Sequence, residues 1–563
     1  MKACALWRLP SRILSVALAI TAVVSASLLA GTLAASAIAQ NTPGVTRDDL
    51  VSGLENPTRW LTYSGDYSSK RHSPLADIAP ENVHTLVAQW TFQARAMPPS
   101  RGWEGTPLVV DGVLYVTGNN NMAWAIDART GREIWSYRRE LPEDLTYGGA
   151  NLVNRGFGIL EDHLFMATLD AHVIALDRSN GEIVWDVPFA DYALGHAATV
   201  APLVVKDMVV IGNSGGDYPT RGFIDAYDAA TGERRWRFYT IPGPGEPGSE
   251  TWPNDEAMAR GGGATWVTGS YDPELDLIYW GTGNPNPDYY GGDRMGDNLY
   301  TASIVALEAD TGELAWHFQF TPHDLHDWDA NQVPILADLA IDGRERKVVM
   351  TANRNGFFYT LDRATGDLLV GRPFTGTEWA RDLDENGRPI ILNDGIIPPG
   401  ETEDPEVCVP DLRGGTNFNP PSYDPSRELF FVVARESCAF YVQRLDPVPD
   451  RQLFMSGAMR QQPEPAYSAL RAIDPKTGDI RWETGIGALA MSGVMSTASG
   501  VVFAGNQEGD FAAFDGETGE RLWSYPTGFH IHGASAVTYL LDGRQYVVIP
   551  SGSTLIAFAL ADW

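Results

Sequence analysis

One eleven-residue pattern occurs seven times along this chain: small residue, apolar residue, Asp, two variable positions, Thr, Gly, three variable positions, Trp. Ala125-Ile126-Asp127 through Thr130-Gly131 to Trp135 is one copy. The others span 175–185, 226–236, 306–316, 360–370, 472–482 and 513–523, with local exceptions such as Glu308 for the Asp and Val370 for the last Trp. Within the pattern Asp-x-x-Thr-Gly reads as a β-turn, because Asp accepts backbone N–H bonds and Gly tolerates positive φ. Apolar alternation on both sides makes each unit hairpin-rich rather than helical.

A repeat of about 40 to 50 residues with a Trp at a fixed place is the signature of a β-propeller. In such folds each four-stranded blade buries its faces against its neighbours. The acidic positions of successive copies are separated by 50, 51, 80, 54, 112 and 41 residues, so some connections carry insertions. The 112-residue gap has room for one unrecognised blade. The expected fold is therefore all-β, an eight-bladed propeller with tryptophan-docking repeats, and one large domain rather than several.

The first 39 residues read as a secretory signal. Lys2, Arg8 and Arg12 form a basic region, an apolar run follows, and Ala37-Ile38-Ala39 offers a small-residue cleavage site. The expected organisation is a signal peptide over 1–39 and the propeller over 40–563, exported to a periplasm. Cleavage removes three basic residues and no acidic one, moving the formal charge from −31 to −34, which argues against a nucleic-acid partner. Cys4 leaves with the signal. Cys408 and Cys438 remain, an even pair in an oxidising compartment, and a disulfide between them would add about 3 to 4 kcal/mol in the chain-entropy picture. No Cys-x-x-Cys-His occurs, so covalent haem by that route is not expected. The Asp-, Glu-, Gly- and Pro-rich stretch between Trp379 and Pro410 reads as a surface insertion.

Three polar segments stand outside the repeat, where propeller loops carry function. The first, Thr321 to Asp329, places three Asp and two His within seven residues, which suits a metal site, a general base or simply a solvated loop. The second is Gly212-Asn213-Ser214-Gly215-Gly216-Asp217, and the third Gly281-Thr282-Gly283-Asn284-Pro285. With Asp327 they supply the hard oxygen ligands of a calcium-class ion.

On these and further segments the sequence resembles the pyrroloquinoline quinone (PQQ) dependent alcohol dehydrogenases of the methanol and ethanol dehydrogenase family. The resemblance is carried by 60–67, Arg71-His72-Ser73-Pro74-Leu75, Val153-Asn154-Arg155-Gly156, Ala264-Thr265-Trp266, Asn353-Arg354-Asn355-Gly356 and Gly414 to Phe418. It implies a quinone in the channel stacked on Trp266 and chelating one Ca²⁺ or lanthanide ion. Asp217, Asn284 and Asp327 match the metal ligands, and Asp327 also matches the base that takes the alcohol proton as hydride passes to the quinone. Arg354 matches the cation beside the quinone oxygens, and Glu104, Arg155, Thr199, Ser214 and Asn417 match polar contacts around it. A small-molecule alcohol would be the substrate and a soluble cytochrome c or similar acceptor the partner; oligomeric state is left open.

The sequence also departs from the family. Gly149-Ala150 stands where many members carry two adjacent cysteines over the cofactor, Asp217 is one methylene shorter than the usual Glu, and His326 replaces the usual Trp before the base. Asp329 matches an additional Asp of lanthanide-dependent members and would be a fourth charged or polar ligand. The alternatives are a non-catalytic periplasmic scaffold, and a metal-dependent hydrolase that uses Asp327 with a metal-bound water.

Overall fold

The computed structural model describes residues 44–561 apart from 96, 98–101, 148–151, 393–408 and 462–465. The expected signal segment, Gly149-Ala150 and Cys408 lie outside the described residues. Eight antiparallel sheets of four strands follow one another as the blades of a propeller; one has a short extra strand, His72–Ser73, laid parallel to Val494–Thr497.

In one blade Leu108–Val110, Val113–Gly118, Met122–Asp127 and Glu133–Arg138 pair in sequence order. The first three strands are almost wholly buried, while the last alternates between buried and exposed positions. Strands nearest the channel therefore read as continuous apolar runs, and the rim strand shows the period of two.

Every visible repeat is the turn from third to fourth strand. Asp127 Oδ1 accepts from the backbone N–H of Arg129 at 2.9 Å and of Thr130 at 3.0 Å, and Gly131 N–H donates to the Asp127 carbonyl at 2.8 Å. Ala125 pairs with Trp135 across the hairpin, and that Trp leans onto the corresponding turn of the next blade. Its indole N–H donates to the Arg178 carbonyl at 2.9 Å, and its ring covers Gly181. Trp185, Trp236, Trp316 and Trp482 repeat this bond to Ala229, Ala309, Arg363 and Gly516. The Gly is obligatory: at Gly366, φ is +81°, and a Cβ there would stand 2.6 Å from the Trp316 ring.

Eight blades are present, but the eighth is not in the 112-residue gap. That gap holds an exposed hairpin, Ala380–Leu383 with Pro389–Ile391, and a small sheet of Val409–Pro410, Cys438–Gln443 and Gly457–Gln461. It also holds the first three strands of the blade whose repeat turn is at Asp474, Ser422–Asp424, Leu429–Glu436 and Tyr467–Ile473. The missing blade joins the two ends of the chain: Leu86–Gln93 is the rim strand of a sheet completed by Val537–Leu541, Arg544–Ser551 and Thr554–Leu560. Ala557 pairs with Trp90 as Ala125 pairs with Trp135, and Trp90 donates to the Ala128 carbonyl over Gly131. Its repeat escapes a linear search because its two halves lie more than four hundred residues apart.

Trp316→Ala removes both the ring and its bond to the neighbouring blade. It should cost about 3 to 5 kcal/mol, read as a lowered midpoint in chemical denaturation. A change below about 1 kcal/mol, the size of an ordinary point mutation, would show that blade docking does not rest on this contact.

Candidate active site in the propeller channel

A cavity of about 180 Å³ opens where the blades converge. Its wall is contributed around the whole ring: Glu104, Arg155, Thr199, Trp266, Asp329, Asn417, Met491 and His532 each lie within six residues before the first strand of a successive blade. Ser214, Asp217, Asn284 and Arg354 add a second set, each just after the second strand of its blade. With Asp327, every site residue proposed from the sequence lines this one cavity. Tyr147, Leu412, Arg413, Met491 and His532 also line it and were not singled out by sequence reasoning. They belong to no motif, and only ring closure brings them inward.

Two arginines organise the walls. Arg354 Nη2 donates to Asp329 Oδ2 at 2.7 Å and to Asn417 Oδ1 at 3.3 Å. Its Nη1 donates to the Asp327 carbonyl at 2.6 Å, to Asp327 Oδ1 at 3.4 Å and to the Leu412 carbonyl at 3.1 Å. Arg155 pairs with Glu104 at 2.8 Å and donates to Thr199 Oγ1 at 2.5 Å, which in turn shares a 2.9 Å hydrogen bond with Ser214. The Arg155 guanidinium carbon lies 4.7 Å from the Trp266 ring centre and 4.5 Å from that of Phe418. The Trp266 indole N–H donates to Asp329 Oδ2 at 3.2 Å, so the ring is pinned by its edge. Trp266 keeps a partly exposed surface on the cavity, unlike the fully buried Trp residues of the core.

Asp327 adopts φ +60°, a left-handed conformation that Asp tolerates better than most residues. This kink, with the Arg354 bond to its carbonyl, aims its carboxylate into the cavity. His326 stacks on Trp328 at 4.1 Å and meets Tyr441 edge-on, so the ring before Asp327 packs behind the site.

The run Gly261-Gly262-Gly263 permits a close approach, and what approaches is the chain's own Asn284 loop. A Cβ on Gly262 would stand 2.8 Å from the Asn284 carbonyl, and Gly263 N–H donates to that carbonyl at 2.9 Å. The Asn284 backbone N–H also donates to Asp329 Oδ1 at 2.9 Å. Its side-chain Nδ2 donates to Pro285 O at 3.2 Å and to Asp288 Oδ1 at 2.9 Å, which leaves its Oδ1 as the group offered to the cavity.

The charge balance is lopsided. Burial pushes the Asp217 carboxyl up to about 6, and the Asp329 charge adds to the shift against the pull of Arg354. Burial likewise raises Asp329, opposed chiefly by Arg354, and raises Asp327 well above the carboxylate range. Burial disfavours the Arg354 charge, but Asp329, Asp327 and Asp217 outweigh it and hold the guanidinium protonated. One buried cation facing three carboxylates leaves an electrostatic deficit, and a hard cation among Asp217, Asp327 and the Asn284 carbonyl fits it. Among the described residues no three His, Cys, Asp or Glu side chains converge closely enough to hold a metal by themselves. The amide of Asn284 has to complete any such set. Asp329 already accepts from Arg354, Trp266 and Asn284, so it has the least coordinating capacity of the three.

Residues 60–371 and 443–547 match the model of the family described as PQQ: glucose/ethanol/alcohol dehydrogenase, beta-propeller domain. The chain is 36% identical over 557 residues to the quinohemoprotein alcohol dehydrogenase ADH-IIG of Pseudomonas putida, covering 93% of this chain and 76% of that one. It is also 36% identical to the quinoprotein alcohol dehydrogenase PedH of Pseudomonas putida KT2440, covering 95% and 91%. Among solved structures, ADH-IIG superposes with a TM-score of 0.86 at 34% identity over 92% of this chain and 83% of that one. A europium-containing methanol dehydrogenase superposes with a TM-score of 0.85 at 31% identity over 91% and 100%. The chain belongs to the PQQ-dependent alcohol dehydrogenase family.

Proposed function

We propose that this protein oxidises alcohols to aldehydes or ketones in the periplasm, with PQQ and one Ca²⁺ or lanthanide ion in the channel and Asp327 as general base. The observation that carries the reading is the convergence of Asp217, Asn284, Asp327, Arg354 and Trp266 on one cavity, in a chain of this family. A scaffold has no use for three carboxylates of raised pKa around a partly exposed indole. A hydrolase would use the carboxylates and leave Trp266 and Arg155 without a role.

When bound, PQQ supplies the electron-poor carbonyl that accepts the two electrons of the alcohol C–H bond. The protein's part is orientation and charge. Trp266, fixed by Asp329, offers a flat face for an aromatic ring, and Arg155 and Arg354 stand over that same indole as partners for anionic or carbonyl oxygens. Asp217, Asn284 Oδ1 and Asp327 would hold the ion. Asp327, held by Arg354 at both carbonyl and carboxylate, accepts the alcohol proton. A bound cation lowers the Asp327 pKa and keeps it ionised for that task.

The negative charge of Asp329 beside Asp217 and Asp327 favours a trivalent ion, and the europium-containing neighbour supports the same reading; to serve as a fourth ligand Asp329 has to release part of its bonding to Arg354, Trp266 or Asn284. Export through cleavage after Ala39, a Cys408–Cys438 disulfide and a separate electron acceptor such as a soluble cytochrome c complete the proposal. Their support is the apolar leader, the pair of cysteines that remains once Cys4 leaves with it, and the absence of a haem-attachment motif in this sequence.

Purified protein supplied with PQQ and either Ca²⁺ or La³⁺ should reduce an artificial dye in the presence of primary or secondary alcohols. Asp327→Asn should keep the fold and lower kcat by roughly 10²- to 10⁴-fold, the usual weight of a general base. Retained turnover would remove Asp327 from its role.

Ion binding should also depend on pH in a stated direction. The ion-free protein keeps the Asp217 proton up to about pH 6, so a cation entering below that pH has to displace it. Apparent affinity should therefore fall as pH drops through about 6, in addition to the slope that the raised Asp327 carboxyl gives at higher pH, with proton release measurable by calorimetry in buffers of different ionisation heat. Affinity that stays flat from pH 5 to 8 would exclude Asp217 from the ion's coordination.

A further inference from the structure

We propose that Asp288 is a positioning residue for the cation site: it fixes the side-chain amide of Asn284 so that the carbonyl oxygen, not the NH₂ group, faces the ion. The inference rests on the reading of Asn284 as an ion ligand and adds a residue that no motif singled out.

Asp288 lies four residues after Asn284, on the loop that leaves the strand Leu277–Gly281, and has no exposed surface. The loop folds back so that Asp288 Oδ1 accepts from Asn284 Nδ2 at 2.9 Å, while the Pro285 carbonyl accepts from the same nitrogen at 3.2 Å. An amide nitrogen carries two hydrogens, and both are committed here to acceptors on the side away from the cavity. Rotating the amide by half a turn would set Asn284 Oδ1 against two oxygens and abandon two hydrogen bonds in a buried place. The carbonyl is thus held toward the cavity before any ion arrives. A primary amide without this lock presents either end, and in a site meant for a cation the N–H end is repulsive.

The second carboxylate oxygen shows that Asp288 is not explained by loop closure alone. Asp288 Oδ2 is buried and has no hydrogen-bond partner among the described residues. The nearby guanidinium of Arg294 is itself fully buried, but its donors go to the carbonyls of Pro287 and Asp324 and to Asn298 Oδ1. An Asn or a Leu would fill this place without leaving an unsatisfied carboxylate oxygen inside the protein. A carboxylate is a stronger acceptor than an amide and grips the Asn284 N–H more tightly.

The test is titration of the full-length protein with Tb³⁺, read as emission sensitised by the Trp266 indole that lines the cavity. Asp288→Leu fills the space without an acceptor and should weaken Tb³⁺ binding by about 10- to 100-fold, the usual cost of losing an outer-sphere partner. Asp288→Asn keeps an acceptor oxygen and should bind close to the unaltered protein. Asn284→Ala should bind weakly, and Asn284→Ala with Asp288→Leu no more weakly than Asn284→Ala alone, because Asp288 acts through Asn284. Unchanged affinity in Asp288→Leu would overturn the inference, as would additive losses in the double variant. A loss in Asp288→Asn as large as in Asp288→Leu would overturn it too, since charge rather than orientation would then be at work. Should the leucine fail to pack, seen as a lower melting temperature in ion-free buffer, Asp288→Ala, which removes the acceptor without adding bulk, carries the test with the same expected and contradicting results. If the unaltered protein binds no Tb³⁺, the cation reading of the site itself falls, a pattern distinct from unchanged binding in Asp288→Leu.

Discussion

The pairing of Leu86–Gln93 with Thr554–Leu560 is the constraint on which the remaining architecture depends. An open row of blades would leave two unmatched faces and a sheet edge, and would not bring distant loops to a common axis. Closure places a residue before the first strand of every blade on the rim of one small cavity, so side chains from Glu104 to His532 become neighbours. The docking Trp residues make this closure stiff. Each spans two blades through ring contact and an indole hydrogen bond, so a displacement of one blade is transmitted to the next.

Within that frame the site is an electrostatic problem solved only in part by the protein. Arg354 reaches Asp327, Asp329, Asn417 and the Leu412 carbonyl with two nitrogens, and so fixes the relative positions of three loops. Burial raises Asp217, Asp327 and Asp329, and Arg354 offsets that only in part because one cation cannot neutralise three carboxylates. The excess negative charge is the protein's contribution to ion binding. The pinned indole of Trp266, with Arg155 above it, is its contribution to holding a flat anionic cofactor.

Much of this was legible in the sequence, for physical reasons that differ by residue. The repeat turns are local, so Asp127, Thr130 and Gly131 state their conformation within five residues, and blade count followed. The eighth blade was misplaced because its Ala557–Trp90 pair is non-local and lacks the Asp-x-x-Thr-Gly turn that marked the others. Asp217 and Asn284 lay in segments rich in Gly and Pro, which set them apart from the blade pattern, whereas Arg354 and Trp266 were legible only through the family resemblance. Tyr147, His532 and Asp288 were missed because nothing local distinguishes them: the first two are drawn in by ring closure, and the third matters only through a folded-back hydrogen bond.

The central claim is that the channel binds quinone and cation as one assembly. Equilibrium titration of the purified protein with PQQ, by calorimetry with and without Ca²⁺ or La³⁺, tests it most directly. The account predicts one quinone per chain, with affinity that rises when the preferred ion is present and an equal rise of ion affinity when quinone is present. Absence of PQQ binding under every ion condition, or binding that is indifferent to the ion, would contradict it.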